Sequence, residues 1–296
     1  MWRVVSFPFR LIFNILAFPF RLIARFLRYL NAEPEEHPLT DVLTGLVTDQ
    51  AMRTFVWAEI DALRKHLLRS IIALAITVAI ASAFTRQISV ILAVPLAGTA
   101  LQTIEVTETV SVFMRIALLA GIALALPYIA FELWLFAAPG LKPRERKIGL
   151  FGIPFAALLF LGGMAFTYFI LPAAIGALQE FNDFMGFASS WRPNSYFSFV
   201  TGLMFWIGVA FEFPLVIYIL TAIGFVKPTL LAQQWRLAIV IIAVMSAAIT
   251  PTVDPVNMAL VMLPMTLLYF ISIGLSFIAY AGRRRLKTSA IPEEGI

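Results

Sequence analysis

Apolar residues in this chain come in long blocks, and the short stretches between them carry nearly all of the charge. Blocks approaching 20 apolar residues have the length a helix needs to cross a bilayer. The pattern predicts an all-α integral membrane protein with six transmembrane helices, at residues 70–86, 111–137, 148–171, 197–223, 237–249 and 258–280. The first block is short, so it must use flanking residues or continue into the apolar run ISVILAVPLAGTALQTI, which Pro95 breaks. Residues 86–110 are therefore read as a structured segment lying over the bundle. The clearest unit is a hairpin at residues 127–168. One apolar run passes Phe131, Trp134 and Phe136, turns at Pro139-Gly140, crosses Lys142, Arg144, Glu145, Arg146 and Lys147, and enters the next apolar run.

The N-terminal stretch follows a different rule. FPFRLI occurs at 7–12 and again at 18–23, an offset of 11 residues, close to three helical turns. Arg3, Arg10, Asn14, Arg21, Arg25 and Arg28 fall within an arc of roughly 60° on a helical wheel. Residues 1–31 are thus expected to form an amphipathic interfacial helix whose arginines reach anionic lipid head groups. The alternative is a helix packed on a partner. Residues 32–57, with Glu33, Glu35, Glu36 and two prolines, read as a polar linker. AEIDALRKHLLRS, from Ala58, reads as a juxtamembrane helix, and residues 288–296 as a tail.

Composition supports the membrane reading: 61% of residues are hydrophobic, 13% are charged, and mean hydropathy is +0.91. Soluble domains carry about a quarter charged residues. The net charge of +5 is informative by position rather than as a total. All of the 22 Lys and Arg except Arg86, Arg115 and Arg192 fall on one side of the predicted topology. The positive-inside rule makes that side cytoplasmic, with both termini inside a cell membrane. Nothing in this distribution argues for nucleic acid.

Candidate chemistry is sparse. Glu212, in GVAFEFPLVIY, is the one ionisable residue between Arg192 and Lys227. A carboxylate at that depth costs on the order of a few kcal/mol, so it should face the bundle, a cavity or a partner. Pro214, two residues on, can free a backbone carbonyl nearby. The competing reading is a buried hydrogen bond within the bundle. Glu132 lies nearer the cytoplasmic end of its span, where it can snorkel, and Arg115 is expected to pair with Glu105 or Glu108. There is no H-E-x-x-H, G-x-S-x-G or glycine-rich phosphate loop. His37 and His66 fall outside the predicted core, and cysteine is absent. No enzyme activity, metal or cofactor is expected.

Six elements, in order, resemble the TatC subunit of the twin-arginine translocase. They are LRKHLL at 63–68, VPL at 94–96, PYIAFELWLFAAPGLKPRER at 127–146, GMAFTYFILP at 163–172, FEFP at 211–214 and ITPTVDPVNMALVMLP at 249–264. The resemblance covers residues 58–287 and implies a six-span receptor that binds the twin-arginine signal peptide of a folded protein at the cytoplasmic face. It implies partnership with single-span TatA and TatB-like subunits, a homo-oligomeric receptor complex, and transport driven by the proton-motive force. It assigns signal-peptide binding to Glu145, a lone acid among four bases that would otherwise read as a solvated charge. Glu59, Asp61, Arg64, Arg146 and Phe136 are the expected surroundings. The family's second acid falls on Ala62, where this chain departs; Asp61 is adjacent but about 100° around a helix. The resemblance makes Glu212 a contact for a partner helix, with Tyr168 and Glu132 as further intramembrane polar candidates. Pro95, Pro127, Pro139, Pro214 and Asp254 are expected to be structural. The rival reading is a secondary transporter with Glu212 as an ion or proton site, although no second copy of FEFP marks an internal repeat.

Overall fold

The computed structural model describes residues 50–96, 101–186, 191–250 and 255–289. The expected interfacial helix 1–31, most of the linker and Asp254 lie outside the described residues. The elements are α1 (Gln50–Ser82), α2 (Thr85–Ala93), a 3-10 turn (Val94–Leu96), α3 (Glu108–Ala137), a second 3-10 turn (Ala138–Gly140), α4 (Pro143–Phe184), α5 (Pro193–Ile223), α6 (Pro228–Gln233), α7 (Trp235–Ile249) and α8 (Pro255–Ser289). Four of the helices open on proline, which suits a first helical position because its missing N–H would have no intrahelical partner there.

Three boundaries differ from expectation. The juxtamembrane helix and the first span are one helix, and it begins at Gln50 inside the predicted linker. QAMRTFVWAEIDALRK contains neither glycine nor proline and is rich in helix formers, so nothing stops the helix from running through. The short first block is completed by these N-terminal residues rather than by the run after Arg86. Next, α4 continues past the predicted exit at Leu171 to Phe184, with Pro172 inside it. Its 42 residues span about 63 Å, longer than a bilayer with its head groups, so the helix must tilt or project. Finally, α7 has 15 residues, about 22 Å, short of the roughly 30 Å hydrocarbon thickness. The described residues thus hold five helices of spanning length and apolarity, with α7 as a shorter apolar helix.

The most buried helix is α5, which packs against α3, α4, α7 and α8, while α1 packs on α3. Tyr196, Val200, Leu203 and Ile207 of α5 meet Ile116 and Leu119 of α3, Leu171 and Ile175 of α4, and Val261 of α8 in one core. The outward surface is apolar, with Phe151, Phe169 and Leu263 each at least 70% exposed, as expected where lipid is the solvent. Lipid gives no hydrophobic drive for helices to associate, so close backbone approach matters. An added Cβ on Gly163 of α4 would lie 2.8 Å from the Gly208 Cα of α5, and one on Gly208 would lie 2.8 Å from the Phe160 ring. Buried hydroxyls add further ties. Thr221 and Ser276 share a 2.8 Å bond between α5 and α8, and Thr77 donates to the Gly121 carbonyl across the α1–α3 contact at 2.9 Å.

Residues 85–96 form the cap at one end of the bundle. Pro95 has no N–H, so the carbonyl of Ile91 four residues earlier accepts the Val94 N–H in a tighter turn in place of an α-helical bond. The Tyr168 hydroxyl of α4 donates to it at 3.2 Å, and the Tyr196 hydroxyl of α5 donates to the neighbouring Leu92 carbonyl at 2.6 Å. Gln102 N–H, in the segment leading to α3, donates to the Trp191 carbonyl at 3.1 Å just before α5.

Gly163→Val should wedge α4 from α5 and lower the thermal midpoint of the protein in detergent, with a loss of about 1–3 kcal/mol typical of overpacking. Gly162→Ala, where an added Cβ meets nothing within 4 Å and helix propensity rises, should hold or raise the midpoint; equal losses in the two would discount the close approach.

Candidate functional site

The hairpin between α3 and α4 is built around Arg146. This arginine is 3% exposed, and its guanidinium donates to the carbonyls of Ala138 (2.6 Å) and Pro139 (3.2 Å), satisfying acceptors at the end of α3. Its own carbonyl accepts the Trp134 indole N–H at 3.0 Å. Trp134 stacks on Phe131 with centroids 5.9 Å apart. Gly149 must be glycine here, because a Cβ would lie 2.7 Å from the Trp134 ring. Expected among the signal-peptide ligands, Arg146 is instead turned into the hairpin and fixes its shape. Pro139 lies in the 3-10 turn that receives this guanidinium.

Glu145 is on the first turn of α4, three residues after Lys142, and its Oε2 accepts the Lys142 backbone N–H at 3.0 Å. The partial positive charge at a helix N-terminus favours a carboxylate at this point. The side chain is half-buried, and Lys142, Arg144 and Lys147 around it are exposed.

A second polar group ties α1 to α3. His66 Nδ1 and Glu132 Oε2 are hydrogen-bonded at 2.6 Å, and the Tyr128 hydroxyl donates to Glu132 Oε1 at 2.6 Å. The Glu132 side chain is 4% exposed, while Arg69, 56% exposed, approaches the same oxygen only to 3.9 Å. Glu132 therefore does not snorkel; it is buried and paired. His66, expected outside the core and without a role, lies within the span-length segment Trp57–Ser82. On its other side its ring meets Phe136 edge-on, 6.2 Å between centroids. Tyr128 and Glu132, one turn apart on an otherwise apolar helix, were the available signal for such a partner.

On α1 the half-buried positions Ala62, His66 and Ser70 recur every fourth residue and define the face toward α3. Glu59, Asp61 and Arg64 are exposed on the rest of the helix. Asp61 is thus not on the face that Ala62 occupies. Pro127 sits inside α3 and Pro214 inside α5 without ending either helix.

The remaining candidates lie apart from the hairpin. Glu212 is half-buried on α5, and its Oε1 is enclosed with no hydrogen-bond partner among the described residues. Its neighbour Phe211 packs on Phe166 of α4. Tyr168 is 25 residues along α4 from Pro143, about 38 Å away, and belongs to the cap with Pro95. Arg115 donates to Ser198 Oγ at 2.6 Å, not to Glu105 or Glu108. Glu108 is itself buried, and its carboxylate accepts the Ile104 N–H at 3.1 Å, which closes the turn before α3.

An apolar helical bundle with paired polar groups buried in it and a basic hairpin at one end defines a multi-pass membrane protein. Comparison with known proteins takes the assignment further. The family model for the Sec-independent protein translocase protein (TatC) matches residues 59–264. The TatC protein of Deinococcus radiodurans is 37% identical over 227 residues, covering 73% of this chain and 83% of that one. TatC of Carboxydothermus hydrogenoformans is 33% identical over 229 residues, 76% of this chain and 93% of that one. A crystal structure of the twin-arginine translocase receptor TatC superposes with a TM-score of 0.67 at 34% identity, over 75% of this chain and 99% of that one. The chain belongs to the TatC family of protein translocase subunits, whose role is transport.

His66→Ala should lower stability by about 1–3 kcal/mol, since it leaves the buried Glu132 carboxylate short of a partner. The double variant His66→Ala/Glu132→Leu should recover much of that loss in thermal unfolding. Additive losses would mean that the pair does not couple α1 to α3.

Proposed function

We propose that this chain is the signal-peptide receptor and core subunit of a translocase exporting folded proteins across the cytoplasmic membrane, with the proton-motive force as its drive. Twin-arginine signal peptides dock on the hairpin side, with Glu145 as the carboxylate for a guanidinium. The observation that carries this reading is the division of charge in the hairpin. Arg146 is buried on backbone carbonyls, which leaves the half-buried Glu145 carboxylate at a helix N-terminus on an accessible face. A carboxylate held in one orientation by its own backbone suits the planar, two-pronged geometry of arginine better than the point charge of lysine. Phe136, whose ring meets the His66 ring edge-on, is the aromatic candidate at the end of α3. Glu59 and Asp61, exposed on α1, are the acids available for the second arginine, since Ala62 has none, and Arg64 is the exposed base beside them.

The wider reading follows the family. The short α7 serves as the sixth crossing, both termini are cytoplasmic, and the interfacial helix 1–31 binds anionic lipid. TatA and TatB-like single-span subunits are the partners, within a homo-oligomeric receptor complex. Glu212, with an enclosed oxygen lacking a hydrogen-bond partner among the described residues, is the contact for a polar side chain on an incoming helix. A buried acceptor of this kind gains on the order of 1–3 kcal/mol from a donor.

Site-specific crosslinking of a twin-arginine signal peptide in membranes tests the receptor reading. Glu145→Gln and a twin-lysine peptide should each cut crosslinking by about tenfold, the scale of one charge-assisted hydrogen-bond pair. Asp61→Ala reports whether that residue takes the second arginine. Undiminished crosslinking with both Glu145→Gln and twin lysine would reject the site.

A further inference from the structure

The bundle holds a second charged site, at the end opposite the hairpin. Arg115 of α3 and Ser198 of α5 form the polar mouth of a cavity of about 410 Å³ that opens sideways between the two helices. Leu118 and Ile122 of α3 and Gly202 and Phe205 of α5 line it further in. We propose that this groove is a phospholipid-binding site: Arg115 and Ser198 hold the phosphodiester of a head group, and an acyl chain lies along the apolar slot.

Three physical points lead to this ligand. The first is charge. Arg115 is exposed on a helix of spanning length, and among the described residues it forms a hydrogen bond to Ser198 but no ion pair. A guanidinium has five donors and is always charged, and exposure of such a group toward hydrocarbon costs several kcal/mol unless an anion meets it. The second is depth. Arg115 is seven residues into α3, about 10 Å below its N-terminal end, a distance over which a long side chain can carry its charge toward lipid phosphates while its stem stays on apolar surface. Ile122 is another two turns along the apolar part of α3. The third is shape. Gly202 leaves the slot open, since a Cβ there would meet nothing within 4 Å. A phosphate anion over an aliphatic tail complements both ends of the groove, whereas the carboxylate of a partner helix would require a buried acid on that partner.

The test uses purified full-length protein in neutral detergent and a photoactivatable phosphatidylglycerol carrying its label in the acyl chain, with peptide mapping of the adducts. Wild type should be labelled on residues 115–122 and 198–206. Arg115→Gln should reduce that labelling about tenfold, as expected for loss of a charged hydrogen-bond donor. Arg115→Lys should restore part of it. Gly202→Leu fills the slot while raising helix propensity, so it should remove the adducts without unfolding the protein. Excess unlabelled phosphatidylglycerol should compete, whereas inorganic phosphate and diacylglycerol should not. Equal labelling of Arg115→Gln and wild type, or equal competition by diacylglycerol, would overturn the phosphate site. Competition by inorganic phosphate would assign the mouth to a free anion instead. Adducts that form in vesicles of fixed lipid composition but are lost when a single-span partner subunit is added to the same vesicles would give the groove to a partner helix and overturn the lipid assignment.

Discussion

A bilayer interior supplies no hydrogen bonds, so every carbonyl released by a break in a helix has to be met by the protein itself. This chain breaks its helices often and answers with one device. A long side chain on one helix reaches a carbonyl on another segment. Tyr168 of α4 adds a second donor to the Ile91 carbonyl, which already accepts the Val94 N–H; Tyr196 of α5 donates to Leu92; Tyr269 of α8 donates to the Leu231 carbonyl of α6 at 2.7 Å. Arg146 meets the two carbonyls at the end of α3 in the same way. These bonds serve two needs at once, because each also fixes where a short irregular segment sits relative to a span. The cap and the hairpin also pack apolar side chains, Leu92 and Leu96 in the main core and Trp134 with Ala138 under the hairpin, and the hydrogen bonds add direction to that packing.

The helices were legible because apolar block length is set by bilayer thickness, and the hairpin because proline, glycine and charge cluster between two blocks. The boundaries were less so. The first helix could not be bounded from composition, since AEIDALRKHLLRS is polar enough to resemble a separate surface helix yet contains nothing that interrupts the backbone. The third span was expected to end at Leu171, but a proline such as Pro172 inside a long helix is tolerated where neighbouring groups satisfy the freed carbonyl, and α4 continues for three more turns.

Among the candidate residues, identity was legible and orientation was not. Glu145, Glu132 and Glu212 stand out as acids in apolar or basic surroundings. Their environments depend on partners far away in sequence: His66 is 66 residues from Glu132. No local pattern distinguishes Arg146, which is buried, from Arg144, which is exposed; the difference arises because position 146 points back along α4 toward the end of α3. Arg115 was given the wrong partner for a related reason. Sequence proximity favoured Glu105 and Glu108, but Glu108 is drawn into its own turn by the Ile104 N–H, and the arginine faces α5.

On the proposed receptor reading, the position of Glu145 links stability to recognition. An acid at the third position of a helix can accept the backbone N–H of the residue before the helix, as it does here, and the helix N-terminus favours its charge. The same fixed orientation that stabilises α4 presents the carboxylate in one geometry to whatever approaches the hairpin. A side chain free in solution would lose rotamer entropy on pairing with a guanidinium, up to about 2 kcal/mol for a long one. Glu145 has given up much of that freedom on folding, so less is lost when a ligand arrives. Arg146 contributes indirectly, by anchoring the start of α4 from beneath, which makes it a positioning residue for the acid beside it.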